Sequence, residues 1–169
     1  ILGGEPEEPD LGGTLSLSAT PSSLSFAAGQ TAQNLQLRIS AAGAGSIDIT
    51  SIREDRTYNL WGTERGVTES VDLSVPGGLS ETVDRMVTLD TLERAKALGA
   101  GTEGGFTLKY VVSGLDTYGN PVSNTLNVPV AVSGAPASTL NVQGLSIQLP
   151  GSPYFRGEAV VGSTITVQA

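Results

Sequence analysis

The chain has 169 residues, 38% of them hydrophobic, and a formal charge of -8; this length suits one ordinary domain with an appendage and is enough for a real core. It contains no cysteine and no histidine, which removes disulfides, thiolate metal sites and the side chain that titrates near neutrality and ligates most transition metals. The acidic balance offers no basic patch to offset phosphate repulsion, so no nucleic-acid partner is expected. No apolar run reaches the ~20 residues that a membrane-spanning helix needs.

Residues 1–13, ILGGEPEEPDLGG, form a Gly/Pro/Glu leader carrying Glu5, Glu7, Glu8 and Asp10. Such a composition cannot bury enough apolar area to fold alone. The chain starts at Ile1 without an initiator Met, which we read as processing, with a secretion signal removed. Thr14 to Thr20 is the first strand candidate, with Leu15 and Leu17 directed inward, and Leu24 to Phe26 follows after Pro21. A flexible leader followed at once by an alternating strand predicts contacts outside the chain's own sheets, with TLSLSAT the segment most suited to pair as a strand, either within its own chain, the commoner arrangement, or donated to a neighbour.

Asn34 to Ala41 alternates through Leu35, Leu37 and Ile39. In Ser46 to Ile52, Ile47 and Ile49 share one parity and Ile52 the other, so a bulge is required to place all three in one core. REDRTYNLWGTERG, Arg53 to Gly66, is the richest polar cluster and reads as a long connection between strands. Val67, Val71, Leu73 and Val75 mark a further strand, and Val83, Val87 and Leu89 another, with Pro76, Gly77 and Gly78 as punctuation. Asp90 to Gly99 is the one good helix. Asp90 is placed to cap it, Glu93 completes a capping box, and Gly99 can close it; Leu92, Ala95 and Leu98 are expected to cover one end of the sheets.

GGFTLKYVVSGLDTYGNPVSNTLNVPVAV, Gly104 to Val132, speaks most clearly. Phe106, Leu108, Tyr110 and Val112 share one face of a strand, and Val122, Asn124, Leu126, Val128, Val130 and Val132 one face of the next, joined by a turn at Asp116 to Pro121. After Ser133 a short linker leads to Leu140, Val142, Leu145, Ile147 and Leu149, a PGSP turn, and the alternation Phe155, Ala159, Val161, Ile165, Val167. This second hairpin is marginal alone and is expected to dock on its own sheets or on a neighbour.

The Gly-aromatic-Thr strand, the Asp-x-x-Gly-Asn turn and the Val/Thr-rich closing strand, with ATPSSLSFAAGQTAQNLQLRIS at Ala19 to Ser40, resemble bacterial and archaeal extracellular immunoglobulin-like modules across Thr14 to Ser133. The pattern departs from that family in having no Cys pair, in Phe106 standing where the penultimate strand usually has Tyr, and in the helix. The expectation is thus an all-β chain: an immunoglobulin-like antiparallel β-sandwich over residues 14–133 with one short helix, and a C-terminal β-hairpin in 134–169. The resemblance implies spacers, adhesins or assembly units outside the cell.

No catalytic, cofactor or metal residues are expected. Glu54 with Asp55, and Glu64 with Glu69, are the carboxylate pairs nearest to a glycosidase arrangement, which needs two carboxyls about 5 to 10 Å apart across a cleft. Asp116 beside Asn120 is explained by the turn, since no calcium-loop spacing occurs. The expected function is a non-enzymatic extracellular structural subunit of a filament, surface layer, envelope complex or virion shell. Its partners would be copies of itself or other surface proteins. The alternative is a carbohydrate-binding or adhesive module that uses Tyr58 and Trp61, with Tyr118 and Tyr154 as further candidate stacking residues. Arg53, Arg56, Tyr58, Trp61 and Arg65 are the candidate interaction residues, because Trp, Tyr and Arg dominate binding interfaces, and Leu15 and Leu17 join them as the strand open to pairing.

Overall fold

Alternation of apolar and small polar residues turns most of the chain into strands. The computed structural model describes residues 12–134. In order these are β1 (Thr14–Thr20), β2 (Leu24–Phe26), β3 (Ala32–Ala42), β4 (Ile47–Tyr58), β5 (Gly62–Glu64), β6 (Thr68–Val75), β7 (Ser80–Thr88), α1 (Thr91–Leu98), β8 (Glu103–Asp116) and β9 (Pro121–Ser133). The described residues are all-β apart from one short helix. One sheet has the order β1-β3-β7, antiparallel throughout; the other runs β2-β9-β8-β4, with β5 and β6 flanking successive parts of β4. Only β2 joins its neighbour, β9, in parallel. The chain changes sheets after β1, β2, β3, β6 and β7; Pro21 marks the first of these crossings and Pro76 to Gly78 the fourth, residues that favour a turn over a continued ladder.

The core between the sheets is built from the inward parities. Leu35, Leu37 and Ile39 of β3 meet Phe106, Leu108, Tyr110 and Val112 of β8 and Val128, Val130 and Val132 of β9, with Phe26 of β2 and Val87 of β7 completing the cluster. Leu126 is only partly buried and packs at its margin. Ile47, Ile49 and Ile52 are all buried, and the register of β4 slips between Ile49 and Ser51 against both β6 and β8. The bulge demanded by their parities is therefore present.

The helix carries the expected caps. Asp90 accepts from the Glu93 N–H at 2.7 Å, and the Glu93 carboxylate accepts from the Asp90 N–H at 3.0 Å; Gly99 follows with φ of 58°. Its buried face differs from the expected one. Ala97 is buried and Leu98 partly so, whereas Ala95 is exposed and Leu92 is 63% exposed. The helix is rotated because Glu93, Arg94 and Lys96 are held by partners on neighbouring strands and loops.

One further expectation changes. The polar run at Arg53 to Gly66 is not a long connection: Arg53 to Tyr58 continue β4, and only Asn59 to Trp61 turn the chain into β5. Of the two arrangements open to TLSLSAT, pairing within its own chain is the one found, since β1 pairs with β3 from Thr14↔Ala42 to Thr20↔Gln36. The acidic leader through Leu11 and the expected C-terminal hairpin lie outside the described residues, as do the linker residues after Gly134. Among the described residues no helix is long and apolar enough to cross a membrane.

Candidate functional site

Beyond the bulge, Glu54 and Arg56 fall on the inner parity of β4, between Ile52 and Tyr58. A charge placed there must be paired to offset its lost hydration. Arg56 Nη2 lies 3.0 Å from Glu54 Oε1, its Nη1 lies 3.0 Å from Glu93 Oε1 on α1 and donates to the Thr88 carbonyl at 2.8 Å, and its guanidinium stands 5.3 Å from the Phe106 ring centre. Glu54 Oε2 accepts the Tyr110 hydroxyl at 2.9 Å. Arg85, inward on β7 between Val83 and Val87, pairs with Glu69 of β6, and Lys96 of α1 pairs with Glu64 of β5. These groups surround a cleft of about 460 Å³ between β4, β7 and the connection from Glu64 to Glu69.

Burial and neighbouring charge set the acidities. For Arg56 burial favours the neutral form, yet the carboxylates of Glu54 and Glu93 outweigh it and raise the guanidinium above its ordinary value. Burial pushes the Tyr110 hydroxyl well above the usual phenol range, and the charge of Glu54 adds to the effect. Burial also raises Tyr58, against the opposing charge of Arg56.

Outside the cleft, on the other face of β4, Arg53 Nε bonds Asp55 Oδ2 at 3.2 Å. Asp55 Oδ1 accepts the Gly66 N–H at 3.1 Å, which pins the connection after β5. A Cβ at Gly66 would stand 1.6 Å from the Glu54 carbonyl oxygen, so only glycine permits this approach. Glu54 and Asp55 thus face opposite sides of one strand and cannot flank a common substrate. Glu64 and Glu69 both line the cleft, but each is held by its own cation.

The seven candidate residues separate into different surroundings. Arg56 is at the cleft floor and Arg65 at its exposed rim. Tyr58 is buried against Phe106, ring centres 5.2 Å apart, beneath Lys96. Trp61, 64% exposed, projects from the β4–β5 turn beside Leu60, which is 75% exposed. Of the aromatics expected to stack a glycan, Tyr58 is closed off, Trp61 and Tyr118 each offer a ring to solvent, and Tyr154 lies outside the described residues. Leu15 is in the core and Leu17 half-buried, both on β1. Leu15 therefore presents no side-chain surface to a partner.

Arg85 and Glu93 complete the cleft, and Tyr110 supports it from the core through Glu54, without having been singled out as site residues. Arg85 was marked by its position, a charge at an inward parity between two valines, which calls for a buried partner. Asp116 behaves as the turn requires: Oδ1 accepts from the N–H groups of Tyr118 at 2.9 Å and Asn120 at 2.8 Å, and these bonds, the Asn120 backbone first, hold its carboxyl below the usual range. Among the described residues no group of three or more His, Cys, Asp or Glu is placed to hold a metal ion.

No family model and no curated protein matches the sequence. Among solved structures, a family 123 glycoside hydrolase from Clostridium perfringens is similar over 72% of this chain at 9% identity and a TM-score of 0.46. The sporulation control protein Spo0M from Bacillus subtilis is similar over 70% at 12% identity and a TM-score of 0.40. A superoxide reductase from Ignicoccus hospitalis is similar over 69% at 12% identity and a TM-score of 0.35. The chain spans 28% of the hydrolase and 49% of Spo0M, less than two thirds of either.

Proposed function

We propose that the chain is a non-enzymatic structural subunit of an extracellular assembly, built on an immunoglobulin-like sandwich. Three strands in the order β1-β3-β7 facing β9-β8-β4, with the penultimate and last strands beside the third long one, support the sandwich reading. The cleft supports the non-enzymatic part, because Arg56, Arg85 and Lys96 are spent on Glu54, Glu93, Glu69 and Glu64. Copies of the chain, or other surface proteins, are the partners.

The observation that carries assembly is a flank without charge. No Asp, Glu, Lys or Arg occurs from Gly12 to Leu37 or from Thr117 to Gly134. Those stretches supply β1, β2 and β9. β2 covers β9 only at Val130 to Val132, and Asn124 of β9 donates to the Leu15 carbonyl of β1 at 2.6 Å, which ties the two edges side by side. The opposite flank, β4 to β7, holds Asp48, Arg53, Glu54, Asp55, Arg56, Glu64, Arg65, Glu69, Asp72, Glu81, Asp84 and Arg85. Exposed sheet edges are commonly protected by charges, and an unprotected edge is a site of strand pairing. Size-exclusion chromatography and electron microscopy of native material should find the chain in particles larger than one copy; free monomers alone would overturn the reading. The exposed ring of Trp61 favours glycan adhesion as the second reading, and a glycan array unchanged by Trp61→Ala would dismiss it.

A further inference from the structure

Resting on that assembly reading, we infer that two copies of the chain join edge to edge through β1, antiparallel about a twofold axis at Leu17. The hydrogen-bond directions of β1 carry the inference. Ala41, which stands opposite Leu15, gives its N–H to the Leu79 carbonyl and its own carbonyl accepts from Gly78, so both of its main-chain groups face away from β1. Leu15 and Ala41 are therefore a non-hydrogen-bonded pair, and by the alternation of an antiparallel ladder the main-chain groups of Leu15, Leu17 and Ala19 point away from β3. The side chain of Asn124 takes the Leu15 carbonyl from this outer side. Leu17 and Ala19 present the rest of the row.

This edge differs from the other long ones: the uncovered part of β9, Pro121 to Pro129, is also without charge, but its two prolines lack an N–H and its Asn124 is turned to the Leu15 carbonyl of β1. β7 carries Glu81, Asp84 and Arg85, β6 carries Glu69 and Asp72, and β2 and β5 have three residues each. β1 has seven residues with no charge and no proline, and its register with β3 is unbroken. Leu17 and Ala19 point to the core side yet stay half-buried, because nothing described lies beyond them in their sheet.

The occupant is a second copy because β1 is complementary to itself. Pairing about Leu17 sets Ser16 against Ser18, Leu15 against Ala19 and Thr14 against Thr20, so no like charges oppose one another and the half-buried Leu17 of each copy covers the other; the Leu15 carbonyl, already bonded to Asn124, has its second lone pair for the Ala19 N–H of the other copy. Two bodies of charge -8 repel across most of their surfaces, and the charge-free flank is where they approach at least cost. A twofold contact of this kind uses one patch on both subunits and closes on itself.

Ser16 and Ser18 are exposed on β1, and charge exchange there tests the register. Sedimentation velocity of the full chain should show dimers, with S16K/S18K and S16E/S18E each dissociating at least tenfold more readily and an equimolar mixture of the two restoring the dimer. Thermal melts should confirm that both variants remain folded. If either fails to fold, Thr14→Lys with Thr20→Lys, against the matching glutamates, repeats the test. Variants that dimerise as tightly as the original chain, or a mixture that forms no heterodimer, would overturn the β1 contact while leaving assembly intact. An original chain that stays monomeric, in native material as well, would overturn the assembly reading itself.

Discussion

Replacing Leu108 with alanine removes a fully buried side chain from the middle of β8, where Arg56 of β4 and Val128 of β9 are its neighbours across the ladder. The three carbons lost correspond to about 2.4 kcal/mol of transfer free energy, at about 0.8 kcal/mol per buried methylene. The cavity adds to this. Because β8 is hydrogen-bonded on both sides over most of its length, the walls cannot close on the space, and the total should fall in the range of about 3 to 5 kcal/mol. Urea denaturation followed by circular dichroism would measure it, with the midpoint falling and the slope unchanged. Lys109→Ala, one residue on and facing the other way, should stay within about 0.5 kcal/mol as a surface change. A loss below about 1 kcal/mol for Leu108→Ala would refute the assignment of the inner face of β8.

Asp90→Ala removes the side-chain acceptor of the capping box, while the residue-90 N–H can still donate to Glu93, and should cost about 1 kcal/mol, read from the thermal midpoint. Asp116→Ala should lower stability at neutral pH. Since folding lowers this carboxyl's pKa, its contribution is present above the unfolded value near 4 and fades as pH falls through the folded one, so the gap between variant and original should narrow in acid. In an alkaline absorbance titration, Tyr110→Phe should leave the amplitude near pH 10 unchanged, because burial holds that hydroxyl well above the usual phenol range; a lowered amplitude would contradict its burial. Trp61, the only tryptophan, should be quenched freely by acrylamide; a shielded Trp61 in the monomer would contradict its place at the turn.

Much of the fold was legible because it rests on local rules. The hairpin of β8 and β9 follows from alternation and an Asp-x-x-Gly-Asn turn, the bulge in β4 from three isoleucines of conflicting parity, and the helix from Asp90 and Glu93. The cleft was not legible in the same way. Arg53 to Tyr58 look like a loop because charges alternate where apolar residues are expected, and what allows Arg56 inside is Thr88 and Glu93, more than thirty positions away. Single-strand patterning does not carry such long-range pairing. Leu92 and Ala95 were misplaced for a related reason: apolar spacing suggested the buried face of α1, whereas the ion pairs of Glu93 and Lys96 fixed its rotation. Leu15 and Leu17 were correctly directed inward, but whether β1 stays home or is donated depends on β3, and that pairing is visible only in the fold.

Amide hydrogen exchange of the full chain, followed against protein concentration, tests the central claim most directly. If the charge-free flank is an assembly surface joined through β1, the amides of Leu17 and Ala19 should become protected as copies associate, while those of β6 and β7 keep their monomer rates. Association that leaves Leu17 and Ala19 exchanging as in the monomer would contradict it.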